Sequence, residues 1–291
     1  MASATTKARA WLLIEHPGPW PQDTGALRLP APIRRAVDEA LRLGIRPQFI
    51  RRTTRRRGTP PLQVYAGHSL ATGGVPRTGH GTGAWMEGRE LTDPAEIARL
   101  DLAAVAAGER PGFGDPVSGP VLLVCTHGQR NVCCARTGGP LARELHARFG
   151  DAVWETTHVG GDRYAANLVC LPHGLYYGSL GVAEAVDAVR AYLRGEVILD
   201  RLRGRAGVPE PAQAAEHFVR TRSGILGVDD VQVESLTGTS PYEAAVTAGG
   251  SRYRVTVERS KINDGCGPGC EGDLDTYVLG GLALLNEATL V

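Results

Sequence analysis

Aromatic side chains are scarce: Phe, Trp and Tyr make up 5% of the 291 residues. That is little for a cleft that stacks sugar rings. Net charge is nearly absent, at +1, so no global field selects nucleic acid. No run of 18 apolar residues occurs, and no membrane span is expected. The opening stretch, MASATTKARAWLLIEHPGPW, has only a short apolar core, too brief for a secretory signal. The expected location is the cytoplasm, where thiols stay reduced. Neither G-x-G-x-x-G nor a P-loop occurs, so no nucleotide site is expected.

Cysteine is sparse too, with six residues, and the common cysteine motifs are missing. No pair has the C-x-x-C spacing of a dithiol oxidoreductase. Cys125 and Arg130 are one residue short of the C-x5-R loop of a Cys-dependent phosphatase. Structural zinc asks for two tight pairs. The tight pair present is Cys266 and Cys270, in an acidic final third.

What is present is uneven. Residues 1–118 carry 16 basic against 11 acidic residues, and residues 196–291 carry 9 against 14. The oppositely charged ends suit mutual docking. Along the chain, strand and helix signals alternate, an α/β pattern. WLLIE (11–15), PQFIRR and LQVYAG are predicted strands, whereas GTGAWMEG is read as a loop. APIRRAVDEALRLG is a helix with Ile33, Val37, Ala40 and Leu41 on one face. DPAEIARLDLAAVAAG is predicted as one helix capped by Asp93. A Pro/Gly stretch at 109–120 marks a boundary. Then come VLLV, a cysteine-bearing loop, the helix PLARELHARFG, VWETT, the pair NLVCL/LYYG, and a helix striped by Val182, Val186, Val189 and Leu193. This order, β-α-β-β-β-α, is that of a thioredoxin-like domain, which places reactive thiols between its first strand and first helix. RLRGRAGVPEP reads as a linker, followed by a helix and an antiparallel sheet around Gly249-Gly250. Three units follow: an N-terminal α/β region (1–118), a thioredoxin-like domain (119–195) and a small C-terminal α+β region (196–291).

Cys125, Cys133 and Cys134 are three thiols in ten residues, more than packing needs. A helix N-terminus ahead of them lowers thiol pKa and favours thiolate ligands. An iron–sulfur cluster asks for thiolates or imidazoles converging from two loops at loose spacing. Cys125 and Cys134 supply one loop. His158, followed by Gly160-Gly161, supplies the second. Zinc, or plain burial, remains the alternative.

The stretch CTHGQRNVCCA…PLA…ETTHVGGDRYAANLVCLPHGLYYG resembles the sucrase/ferredoxin-like family. The resemblance spans most of residues 11–260 and is sharpest at 121–178. The family pattern is C-x-H-x-x-R-[DN]-x-x-C followed by H-x-G-G-H-[RK]-[FY]-A. It implies a thioredoxin-like ferredoxin domain with a [2Fe–2S] cluster, an electron-transfer role and a redox partner protein, either reductase or acceptor. It does not imply sucrose hydrolysis, and no carboxylate pair stands out for one. By the match, Cys125 and Cys134 bind one iron; His158 and the residue at 162 bind the other. Here the chain departs from the pattern, with Asp162 in place of histidine. Either Asp162 ligates, or Cys266, Cys270, His173 or Cys133 replaces it, or the site is empty. The fold without a cluster would be a non-redox binding module. RRTTRRR (51–57) is either a solvated loop or a docking patch built from Arg51, Arg52, Arg55, Arg56 and Arg57.

Overall fold

The computed structural model describes residues 8–54, 61–69, 83–263 and 273–285. The chain begins with β1 (Ala10–Glu15), α1 (Ala31–Arg42) and β2 (Arg46–Arg51), and β2 runs parallel to β1. Pro32 sits in the first turn of α1, where its missing N–H has no helical partner to lose. Ile33, Ala36, Val37 and Ala40 form the buried face; Leu41, expected there, is exposed. β3 (Leu62–His68) and β4 (Trp85–Leu91) pair antiparallel beside β1.

β4 corrects the loop expected at Trp85 and Met86. Its period is obscured by Glu87, a buried carboxylate that accepts the Phe113 N–H at 3.0 Å. The helix expected over 93–108 is two elements. Asp93 caps a 3-10 turn (Pro94–Arg99), and Asp101 caps α2 (Leu102–Ala107) by accepting the Ala104 N–H at 3.0 Å. A second cap side chain starts a second helix. A two-residue strand, β5 (Asp115–Pro116), pairs with β4.

The next elements are β6 (Val121–Cys125), α3 (Val132–Phe149), β7 (Val153–Thr156), β8 (Leu168–Leu171), β9 (Leu175–Tyr177) and α4 (Val182–Leu193). They keep the expected β-α-β-β-β-α order. The predicted stripe of α4 is rotated: Val182 and Leu193 are exposed, and Ala185, Val186, Ala188, Val189 and Tyr192 face the core. The stretch read as a linker forms β10 (Leu202–Arg205), antiparallel to β9. One ten-stranded sheet results, in the order β10-β9-β8-β6-β7-β2-β1-β3-β4-β5. The boundary expected at 118/119 falls inside its span because β2 pairs with β7, and that expected at 195/196 because β10 pairs with β9.

Beyond it, α5 (Glu210–Ser223) covers a four-stranded antiparallel sheet of β11 (Val231–Gly238), β12 (Tyr242–Ala248), β13 (Ser251–Asn263) and β14 (Asp273–Leu285). Arg220, fully buried, ties this unit together through Glu216 at 2.9 Å and the carbonyls of Gly227 and Val228. Mixed α/β architecture is therefore borne out. No helix among the described residues is long and apolar enough to cross a membrane.

The closest approach in the central layer is that of α3 on β6. Gly138 is buried, and a Cβ there would run into the carbonyl oxygen of Cys125. A Cβ on Gly139 would meet only the tip of Arg143, at 3.7 Å. Gly138→Ala should therefore destabilise the protein by about 1–3 kcal/mol through overpacking. Gly139→Ala should be neutral or stabilising, by up to about 1 kcal/mol. Urea unfolding of both variants checks the pair; equal effects would mean that α3 does not seat on β6 through Gly138.

Candidate metal centre

All five residues of β6 are buried, and Cys125 is its last. Asn131 then caps α3: its side-chain oxygen accepts the Cys133 N–H at 2.8 Å. The helix therefore starts at Val132, eight residues earlier than the expected Pro140. Cys133 and Cys134 lie in its first turn rather than in a loop ahead of it. Pro140 is tolerated inside α3. Cys134 points inward and is buried; Cys133 is half-buried.

His158 follows β7 and is fixed by its backbone. Its N–H donates to Nδ1 of His127 at 3.2 Å, and its carbonyl accepts from Arg46 at 3.3 Å. His127 places Nε2 on the Pro21 carbonyl at 2.8 Å, so the proton sits on Nε2 and Nδ1 is the acceptor. Burial lowers the His127 pKa, which favours this neutral form. His127 thus anchors the loop from beside the donors.

Three donors converge. Nδ1 of His158 lies 4.0 Å from Sγ of Cys125 and 3.8 Å from Sγ of Cys134. The ligand atoms of all three residues lie within 4.8 Å of one another. The Cys125 sulfur also receives hydrogen bonds from the backbone N–H groups of His127 and Val159. The two thiols titrate as a pair. A hydrogen bond from the Cys134 thiol holds Cys125 well below the usual thiol range, against the opposing effect of burial. The same bond, with burial and the nearby charges of Cys125, Asp162 and Cys133, pushes Cys134 up. Deprotonation of the pair is thus favoured at Cys125 and opposed at Cys134.

The loop after His158 is held from beneath. Gly160 and Gly161 adopt φ of 93° and 70°. A Cβ on Gly161 would collide with the guanidinium of Arg203, so glycine is required there on both counts. Arg203, on β10, is fully buried and donates to the Gly160 carbonyl at 3.1 Å and to the Asn167 side-chain oxygen at 2.8 Å. Asn167 donates to the Gly161 carbonyl at 2.9 Å. The Arg203 guanidinium lies 4.7 Å from the ring centre of Tyr164 and 5.7 Å from that of Tyr176.

Asp162 is beside this group and not within it. Its carboxylate accepts from the Asn131 amide at 2.7 Å and from the Arg163 N–H at 3.2 Å. Among the alternatives for a fourth ligand, His173 belongs to another network, with Nδ1 2.6 Å from the Tyr192 hydroxyl and Nε2 3.7 Å from Asp229. Cys266 and Cys270 lie outside the described residues, as do Arg55, Arg56 and Arg57. Arg51 is engaged with Glu155 at 2.6 Å and with the Trp20 ring at 4.1 Å. Arg52 covers Trp154 at 3.6 Å and donates to the Asp151 carbonyl at 2.7 Å. These two arginines are structural contacts of the sheet rather than free patch residues.

The family model described as sucrase/ferredoxin-like matches residues 1–204. The chain belongs to the sucrase/ferredoxin-like family. The match ends short of the expected residue 260. It includes all three donors and Arg203, and it leaves out α5 and the four-stranded sheet. A protein described as altered inheritance of mitochondria protein 32, from Meyerozyma guilliermondii, is 30% identical over 103 residues, covering 30% of this chain and 35% of that protein. The chain thus spans about a third of that relative's length. No solved structure matches.

Sequence reading singled out the donors but missed Asn131, Arg46, Asn167 and Arg203. Only Asn131 carried a signal, as a cap-type residue at a helix start. Asn131→Ala removes both the cap and the Asp162 tether. It should cost about 0.5–2 kcal/mol in thermal or urea unfolding. Asp162→Ala, which leaves the cap in place, should cost less, and an equal loss would assign the effect to the tether.

Proposed function

We propose that the chain is an electron-transfer protein holding a [2Fe–2S] cluster on Cys125, Cys134, His158 and Asp162. The observation that carries this reading is the convergence of two thiols and an imidazole from a strand end, a helix start and the next loop, in a family named for ferredoxin. Two soft thiolates and an imidazole are the donor chemistry such a cluster takes, so the residues present fit the group in kind. When bound on these residues, such a cluster would supply one-electron transfer between a reductase and an acceptor.

The chain's own residues supply the rest. Backbone N–H groups at His127 and Val159 stabilise negative charge on the Cys125 sulfur. Arg46 and Arg203 hold the carbonyls of the second ligand loop. Cys133, His158 and Asp162 are only half-buried, which leaves that rim accessible to a redox partner protein. We treat residues 119–195 as a thioredoxin-like ferredoxin domain, supported by the order β9-β8-β6-β7 of its strands. The flanking regions, 1–118 and 196–291, then serve as its supports.

A second reading has a distance in its favour. Donors around one tetrahedral zinc ion lie about 3.5–3.8 Å apart. The 3.8 and 4.0 Å separations here are near that size. Zinc would make the site structural and the protein colourless.

Anaerobically purified protein should be red-brown, with about two irons and two acid-labile sulfides per chain. Cys125→Ser and Cys134→Ser should bleach it, because a hard hydroxyl replaces a soft thiolate. Cys133→Ser should stay coloured. Asp162→Ala should lose the cluster, and Asp162→His should keep it at a raised midpoint potential, since imidazole carries no charge. A colourless protein with one zinc per chain replaces this reading with the second.

A further inference from the structure

Tyr176 is fully buried, and its hydroxyl has no hydrogen-bond partner among the described residues. A buried phenol normally finds one, since an unmet hydroxyl costs about 1–3 kcal/mol. Its surroundings are specific. Tyr176 lies on β9, opposite Val169 of β8, which lies opposite Leu123 of β6. That row shares one face of the sheet with Cys125, and Tyr176 belongs to the same buried cluster as Cys125, Cys134 and Val159. The charges that reach its hydroxyl are those of Arg46, Arg203 and Cys125. These are the two arginines that hold the ligand loop, and the first thiol. Burial raises its pKa, so it keeps its proton at neutral pH.

Tyr177 makes a useful contrast. Its hydroxyl also has no side-chain hydrogen-bond partner among the described residues, but its side chain faces the opposite side of the sheet, with Cys170 and Tyr192.

We infer that the Tyr176 hydroxyl is a hydrogen-bond donor reserved for the sulfur-bound group at Cys125, with Arg203, whose guanidinium lies 5.7 Å from the ring centre, as the residue that positions the ring. The inference rests on the metal-centre reading and names the donor that completes the site from within the sheet. A hydrogen bond to a metal-bound sulfur withdraws charge from it. It stabilises the reduced, more negative state and raises the reduction potential.

The test uses the full chain and three variants: Tyr176→Phe, Tyr177→Phe and Arg203→Lys. In metal-free protein, Tyr176→Phe should leave the urea midpoint unchanged or raise it, because it deletes an unmet polar atom. Cobalt(II) is the metal probe. Tyr176→Phe should bind it about 10-fold or more weakly and shift the thiolate-to-cobalt charge-transfer band to longer wavelength. Protein that carries a cluster should also show a lowered midpoint potential. Tyr177→Phe should leave band, affinity and potential unchanged. Arg203→Lys, which keeps the charge but loses the guanidinium that lies 4.7 and 5.7 Å from the Tyr164 and Tyr176 ring centres, should shift the band in the same direction by less. A Tyr176→Phe protein with wild-type band and cobalt affinity overturns the inference. So does a lowered urea midpoint in the metal-free form, since the hydroxyl would then already have a partner. A colourless wild type that binds cobalt, with the Tyr176→Phe shift intact, overturns the cluster reading and leaves this inference standing. A wild type that binds neither overturns both.

Discussion

The whole site depends on one contact: α3 seated on the end of β6 with no side chain between them. Cys125 is the last residue of a strand, and Cys134 lies in the first turn of the following helix. It comes nine positions after Cys125 along the chain. They meet because Gly138 lets the helix backbone come down on the Cys125 carbonyl. Everything else at the site follows from that apposition. The Asn131 cap sets where the helix begins, and hence which of two adjacent thiols turns inward. β7 pairs parallel to β6, so its exit loop is delivered to the same edge and brings His158 over both sulfurs.

The electrostatic design follows from burial. Two buried thiols cannot both ionise in a low-dielectric interior unless positive charge joins them. The hydrogen bond between the two thiols pulls the Cys125 pKa down and pushes that of Cys134 up, so negative charge is favoured on Cys125 over Cys134. Arg203 is itself buried without exposure to water, and burial pushes its pKa down to about 10. It stays protonated at neutral pH, and the Cys125 charge favours that state. The Arg203 cation and negative charge on Cys125 favour each other across the Gly160–Gly161 loop. A metal ion or cluster that displaced the remaining thiol proton would complete this balance, which supports the proposed metal centre.

The sequence made some of this legible. β6 reads as a strand because it is apolar throughout, and α4 as a helix because its apolar period is strong. The three donors stood out because soft ligands cluster at loop positions. Other parts were hidden for physical reasons. β4 and β10 carry glycine and charged residues in the middle of strands, at Glu87, Gly88, Arg203 and Gly204. Their partners are distant in sequence: Phe113 for Glu87, Asn167 and Gly160 for Arg203. A local pattern reads such a stretch as solvated. The continuity of the large sheet was hidden too. It passes from β2 to β7 through only two residue pairs, reinforced by Arg51 on Glu155. The register of Cys133 and Cys134 depended on a cap, which periodicity does not report.

Asp162 stands where the pattern of the sucrase/ferredoxin-like resemblance has histidine, and under the proposed cluster reading its geometry would let a carboxylate take that place. One oxygen is tied to the Asn131 amide at 2.7 Å, and the other accepts the Arg163 N–H at 3.2 Å. The first bond places negative charge at the N-terminus of α3, where the helix dipole favours it. It also links the second ligand loop to the cap that orients Cys134. Imidazole in this place would offer one nitrogen to a metal and one to a neighbour. A carboxylate offers two oxygens and can divide them in the same way, keeping Asn131 with one while turning the other inward. The longer bond to Arg163 is the weaker and is the one such a turn would release. The substitution thus preserves the mechanical link between the two ligand loops. What it changes is charge, since a carboxylate adds a negative unit beside two thiolates that already strain the local balance.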